Sequence, residues 1–249
     1  MLYTINQTSS LMELYQGAED LTSPHGTTNQ PKLKLVVFGS TGATGRLLVA
    51  QALEQGHHVT ALARHPEALG ITNAQLTVAA FDVLNSDGDL DSVIAGADAV
   101  LSALGNRERR PTTVYSAGVS VIATAMESTR VRRLVCISSD GIDVPPSLPW
   151  AQQVVMSQII QRIYKHQYAD MVRMESFLKT TSLDWTVVRA PRLIDGLPTG
   201  YARVSLDEPI LDGGSLRRAD LAQFMIDAVI RPETFGHLAH LASPRRESP

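Results

Sequence analysis

The stretch "LVVFGSTGATGRLLVAQAL", residues 35–53, sets Gly39, Gly42 and Gly45 between an apolar run and an amphipathic one, with Thr41, Ala43 and Thr44 in the gaps. That spacing suits a dinucleotide pyrophosphate. The first glycine permits the tight turn out of a strand, the second lets phosphate approach the backbone, and the third lets the following helix pack on the sheet. Free amides at the helix start then hold the anion, and the two threonines would add hydroxyl donors. The loop lacks the Gly-Lys-Ser/Thr ending of a nucleotide triphosphatase, which disfavours kinase and ATPase readings.

Cofactor choice is read where the second apolar run ends. An acidic residue there would take the ribose hydroxyls of NAD(H), but this chain has Arg64 and no carboxylate before Glu67. A guanidinium matches a 2′-phosphate, so NADP(H) is expected over NAD(H). Asp82, just after the third run, is placed either to bond the adenine amine or to close the turn before "NSDGD".

Other reactive side chains carry weaker signals. Ser138 and Ser139 follow an apolar run, outside any Gly-x-Ser-x-Gly motif, so position alone makes Ser138 a candidate contact for cofactor or substrate. Arg192 follows Pro191 directly after another run and would hold a substrate carboxylate or phosphate. His237 and His240 form a His-x-x-His with no third ligand in sequence, and no metal is expected. The lone cysteine, Cys136, lies in "RLVCIS" and reads first as a buried structural thiol in a reducing, cytoplasmic setting.

These residues need a frame. From Lys32 onward, short apolar runs alternate with longer patterned ones, as βαβ units require. Strands are predicted over 33–38, 58–63, 75–80, 98–104, 133–138 and 184–190, with a helix after the glycine loop ended by Gly56 and another over 112–129. The fold class is α/β, a single Rossmann-type doubly wound parallel sheet with helices on both faces. Ligands of such sheets sit beyond the carboxyl ends of the strands, which is where the glycine loop, Arg64, Asp82, Val83, "LGNR" (104–107), "SSDG" (138–141) and "APR" (190–192) fall. The stretches 143–170 and 193–216 are too long for simple connections and read as pocket walls.

Bulk properties fit one such domain. The chain has 249 residues, 44% hydrophobic and 19% charged, with no run near the ~18 apolar residues of a membrane span. A net charge of −3 without a basic face argues against nucleic acid as a partner. Residues 1–31, rich in Ser, Thr, Gln and Gly and without apolar period, read as a flexible extension preceding the domain at 32–249.

The order of the motifs "GSTGATG", "ALARHPE", "FDVL", "ADAVLSALG", "RLVCISS", "LDWTVVRAPRL" and "LRRADLAQFMIDAV" resembles that of the atypical short-chain dehydrogenase/reductases with an NAD(P)H-binding domain, and within them the biliverdin and flavin reductase type. The likeness runs from about residue 34 to 242 and includes "RPTTVYSAG" and "LPTGYARVSLDEP". It implies hydride transfer from NADPH to a flat acceptor: a flavin, a biliverdin-like tetrapyrrole or a quinone. It assigns pyrophosphate to Gly39, Thr41, Gly42 and Thr44, the 2′-phosphate to Arg64, adenine to Asp82 and Val83, and the nicotinamide side to Leu104, Gly105, Arg107, Cys136, Ser138 and Pro191.

Two departures stand out. The histidine that follows the post-strand proline in that type is Arg192 here, which donates hydrogen bonds but keeps its proton. The superfamily's Tyr-x-x-x-Lys is missing, since Tyr164 is followed four places on by Tyr168, and Tyr168 by Val172. Ser138 and Arg192 are thus the catalytic candidates of a monomer or small homo-oligomer acting on a small molecule. A catalytically silent NADP(H)-reading sensor and an epimerase-like enzyme are the alternatives.

Overall fold

The computed structural model describes residues 31–85, 88–106, 108, 110–144, 147–200 and 202–244. The proposed extension at 1–31 lies almost wholly outside them.

The chain opens with β1 (Lys34–Phe38), four of whose five residues are buried on both sides of the sheet. The glycine loop turns it into α1 (Ala43–Glu54), which stops at Gln55 with Gly56 at φ 81° taking the left-handed conformation. Then come β2 (His58–Ala63), β3 (Leu76–Ala80), a short α2 (Leu90–Ile94) capped by Asp89, and β4 (Ala99–Ser102). Next are α3 (Ser116–Thr129) and β5 (Arg133–Ser139). After β5 a single 3₁₀ turn, Asp140–Ile142, leads to α4 (Trp150–Val155), prolonged by a π-helical turn over Met156–Ile160 and a last turn over Gln161–Ile163. The chain ends with α5 (Lys165–Leu178), β6 (Asp184–Ala190), β7 (Arg192–Ile194), β8 (Arg203–Leu206), β9 (Ser215–Arg217), α6 (Arg218–Ala228) and β10 (His237–Ala242).

Eight strands form one sheet in the order β3-β2-β1-β4-β5-β6-β10-β8, all parallel except β8, which pairs antiparallel with β10. β7 and β9 form a separate parallel pair. Successive residues on β1 point into opposite layers. Leu35 and Val37 join Leu48, Val49 and Ala52 of α1 and Leu221, Met225 and Ala228 of α6. Val36 and Phe38 join Val119, Ile122 and Met126 of α3 and Met171, Met174 and Leu178 of α5. The doubly wound sheet read from the sequence is therefore the observed fold. Its order reverses direction between β1 and β4, and the carboxyl ends of those two strands form the crevice where such sheets bind ligands.

The six predicted strands are present, three of them shorter than expected and one longer by a residue, and the 112–129 helix starts at Ser116. Four further strands have no clear signal in the sequence. β7, β8 and β9 have three or four residues each, too few to show an alternation. β10, "HLAHLA", stands out in the sequence for its two histidines; in the sheet they sit three apart on a strand and so face opposite layers.

Candidate functional site

The glycine loop is built as its spacing demands. Gly39 has φ 70°, and a Cβ there would lie 2.5 Å from the Ala103 carbonyl oxygen at the end of β4. A Cβ on Gly45 would lie 2.1 Å from the Gly39 oxygen, so α1 reaches the strand only because residue 45 has no side chain. Gly42 differs: it has φ −70° and would meet only the Gly39 oxygen, at 3.2 Å. The packing of the fold demands a glycine less here than at 39 and 45. The amide of Gly42 is used on Gly39, but among the described residues no side chain caps the start of α1 at Ala43 and Thr44. Uncapped amides on a twelve-residue helix behind a side-chain-free approach suit a pyrophosphate, and the residues present fit the dinucleotide. Ser40 serves the loop itself. Buried, it donates from Oγ to the Leu62 carbonyl at 3.0 Å and ties the loop to β2.

At the carboxyl end of β2, Arg64 stands exposed, and its guanidinium makes no hydrogen bond or ion pair among the described residues. Arg46 fixes the neighbouring wall, with Nε donating to the Thr41 carbonyl at 3.2 Å and the two Nη atoms to the Leu69 and Ala68 carbonyls. Asp82 closes a turn: its carboxylate accepts from the Leu84 amide and from Asn85 Nδ2, each at 3.1 Å. The Asn85 bond, then the Leu84 amide, hold that carboxyl below the usual range, and Arg64 adds to this through space. Val83 is buried against Gly118, where it packs beside Leu104, so it supports the site from behind.

The other side of the crevice holds Leu104 and exposed Gly105 after β4, and Pro191 and Arg192 after β6. Arg192 is exposed, and its guanidinium has no partner among the described residues. Arg107 lies outside the described residues. Two residues that the resemblance assigns to the nicotinamide side are buried, Cys136 as its apolar run suggested and Ser138 against its reading as a catalytic candidate. Cys136 is 1% exposed, faces the α3–α5 layer, and burial pushes its thiol well above the ordinary value. Ser138, two residues on and so on the same face, is 2% exposed and donates from Oγ to Glu175 Oε1 at 2.7 Å. A hydroxyl committed inside the core is not a reactive surface group, so the catalytic reading of Ser138 gives way to a structural one.

Ser138 belongs to a buried network that the sequence did not signal. Across β5, β6 and β10 the register aligns Ser138, Arg189 and His240 in one row. Arg189 donates from Nε to Glu175 Oε1 at 3.1 Å, from Nη2 to Oε2 at 2.6 Å, and from Nη1 to Asp143 Oδ2 at 2.5 Å. Burial works against the Arg189 charge, but the two carboxylates outweigh it and hold the guanidinium above its ordinary value. His240 Nδ1 lies 2.6 Å from Asp140 Oδ1. Asp140 and Asp143 flank the turn after β5, so the row pins that turn to β6 and β10. The hydroxyl left partly accessible there is the neighbour, Ser139, which shares a hydrogen bond with Tyr168 of α5. Burial raises the Tyr168 pKa despite that bond, so the phenol keeps its proton at neutral pH. Period-two alternation alone does not find this pair, because it would turn Ser139 away from the layer that holds Ser138 and α5.

Among the described residues no cluster of His, Cys, Asp and Glu is arranged for a metal, and His237 pairs instead with Asp207 at 2.5 Å. No helix among them is long and apolar enough to cross a membrane.

Comparison with known proteins bears on this geometry. An uncharacterized chloroplastic protein of Arabidopsis thaliana is 24% identical over 224 residues, covering 87% of this chain and 78% of that protein. A Bacteroides thetaiotaomicron protein described as an epimerase is 25% identical and superposes with a TM-score of 0.72 over 88% of this chain and all of the other. A Veillonella parvula short-chain dehydrogenase/reductase solved in complex with NADP is 15% identical, with a TM-score of 0.70 over 86% of this chain and 96% of its own. The profile of the NAD(P)H-binding family matches residues 39–232, from the first glycine of the loop to the turn before β10, and the chain belongs to that family.

Proposed function

We propose that this protein is an NADPH-dependent reductase of a flat small-molecule acceptor that carries an anionic group, of the flavin, biliverdin-like tetrapyrrole or quinone kind. It acts as a monomer or small homo-oligomer in the cytoplasm, with no nucleic acid or membrane as partner. The observation that carries the reading is a pair of guanidiniums, Arg64 and Arg192, both exposed at carboxyl ends of strands and both without a hydrogen-bond or ion-pair partner among the described residues.

The dinucleotide supplies the hydride. The start of α1 and Gly42 hold its pyrophosphate, and Arg64 its 2′-phosphate, by charge-assisted hydrogen bonds. Leu104, Gly105 and Pro191 form the walls between which two flat rings are brought together, and proximity of that kind supplies much of such a rate. Arg192 orients the acceptor through its anionic group and, holding its proton, takes no part as an acid. Tyr168, protonated and bonded to Ser139, offers an O–H at the end of β5.

The silent-sensor reading draws support from the burial of Ser138, which removes the one catalytic serine expected from the sequence. The epimerase reading has the Bacteroides relative behind it, but the raised Tyr168 pKa is the wrong direction for a catalytic base.

The test is oxidation of NADPH and NADH with a panel of FMN, riboflavin, biliverdin and quinones. Faster turnover with NADPH, and with FMN over riboflavin, is expected. NADPH binding without turnover by any acceptor favours the sensor, and failure to bind either nucleotide overturns the reading.

A further inference from the structure

Helix α5 makes a series of contacts that neither the core nor the catalytic reading uses. Residues 167, 170 and 173 follow one another at three-residue spacing, and each reaches the loop that joins β4 to α3. Gln167 Nε2 donates to the Glu108 carbonyl. Asp170, fully buried, accepts from the Tyr115 amide at 2.9 Å, the Ser116 amide at 3.4 Å and the Ser116 hydroxyl. Arg173 Nη2 donates to the Thr112 carbonyl at 3.4 Å and to Asp170 at 3.0 Å. Within the loop, the Asn106 amide donates to the Tyr115 hydroxyl at 3.2 Å, so the fixed end of the loop at Tyr115 holds its free end at Asn106.

The Asp170 carboxylate caps α3 from another helix, a favourable place for a negative charge. Gln167 is less easily explained as mere stabilisation. It is 4% exposed, and its Oε1 has no partner among the described residues. Burying an amide oxygen in that state is unfavourable. What the residue achieves is a grip on one backbone carbonyl of an exposed loop.

That loop begins at the crevice. Ala103 touches the backbone of Gly39, Leu104 rests on Gly118, and Gly105 is exposed between them and the clamped stretch. The loop is one lip of the opening between β1 and β4, and the glycine loop is the other. We propose that Gln167, Asp170 and Arg173 are positioning residues that clamp this lip from α5 and set the width of the crevice where the nicotinamide half of the dinucleotide lies. The proposal rests on the NADPH reading above.

Gln167→Leu tests it, because the variant removes the grip and the unpartnered oxygen together while Glu108, being exposed, can turn its carbonyl to water. Two probes are titrated: NADPH, and adenosine 2′,5′-bisphosphate, which spans only the adenosine half. The variant is expected to bind NADPH about fivefold more weakly, the scale of one net hydrogen bond, with the bisphosphate changed by less than about twofold. Equal loss of both probes, or loss of neither, overturns the clamp. Hydrogen exchange of the nucleotide-free protein keeps the two claims apart: Gln167→Leu should speed exchange at the Asn106 amide while leaving α1 unchanged. Unchanged exchange at Asn106 overturns the clamp even if NADPH binds, whereas a wild-type chain that binds neither probe overturns the NADPH reading, and the nicotinamide-side role with it.

Discussion

On the NADPH reading, Arg64→Ala should leave a protein that barely distinguishes the two nucleotides. A hydrogen bond to a charged group contributes about 1.5–3 kcal/mol. Because Arg64 is exposed, water and salt screen it, and the lower end applies. At about 1.4 kcal/mol per factor of ten, the loss is roughly twelvefold in NADPH affinity. Asp82 pushes the figure upward. Its carboxylate is held ionised by the Asn85 and Leu84 bonds and is offset through space by Arg64, so without the guanidinium it faces the 2′-phosphate uncompensated. Arg64→Ala combined with Asp82→Asn should therefore recover part of the loss, although Asn closes the turn less well. NADH, which has no 2′-phosphate, should stay within about twofold throughout. Titration of both nucleotides by calorimetry at low and moderate salt checks this, and the NADPH difference should shrink as salt rises. Parallel losses for NADPH and NADH would refute the reasoning, because they would mean that Arg64 supports the fold or the common part of the nucleotide.

Arg192→Ala should raise KM for FMN roughly tenfold or more while leaving that for riboflavin nearly unchanged. Arg192→His should add a limb near pH ~6.5 to the rate profile; steady-state kinetics across pH checks both, and equal effects on the two flavins would place residue 192 outside the acceptor site. Gly42→Val should abolish nucleotide binding in a chain that melts normally, whereas Gly39→Ala, forced to φ 70° and onto the Ala103 oxygen, should lower the melting temperature as well. Circular dichroism with titration separates these outcomes. Glu175→Ala leaves Arg189 with only the exposed Asp143 as counter-charge, a loss of about 3 kcal/mol that corresponds to roughly 6–12 °C in Tm. A melt within about 2 °C of wild type would mean that the pair contributes little.

The crevice was legible where chemistry and geometry demand the same residue. Gly39 and Gly45 must be glycine both for the turn and for the packing, so their spacing points to strand, loop and helix at once. Long buried runs such as "RLVCISS" and "DWTVVRA" signal central strands because both faces of a doubly wound sheet are covered. Facing was the harder question. Ser138 and Ser139 are equivalent in composition, and only the register of β5 against β6 and the layer occupied by α5 decide which hydroxyl is buried. The partners of that row, Glu175, Arg189 and His240, are separated by up to 65 residues in sequence, with no local pattern to join them, and the same is true of the contacts from Gln167 and Asp170 to the loop after β4.

The placement of β10 has a consequence for how the molecule comes into being. The last described strand is not an edge: it lies between β6 and β8, parallel to one and antiparallel to the other, and its His240 reaches back to Asp140. During synthesis from the amino end, β6 is made with one side unpaired, and it stays so until residues 237–242 leave the ribosome. Dinucleotide-half strands can pair early, but the sheet closes only when β10 emerges. A nonsense codon as late as residue 236 would therefore release not a trimmed protein but one with a buried-type strand bared along its length, a substrate for chaperones and proteases.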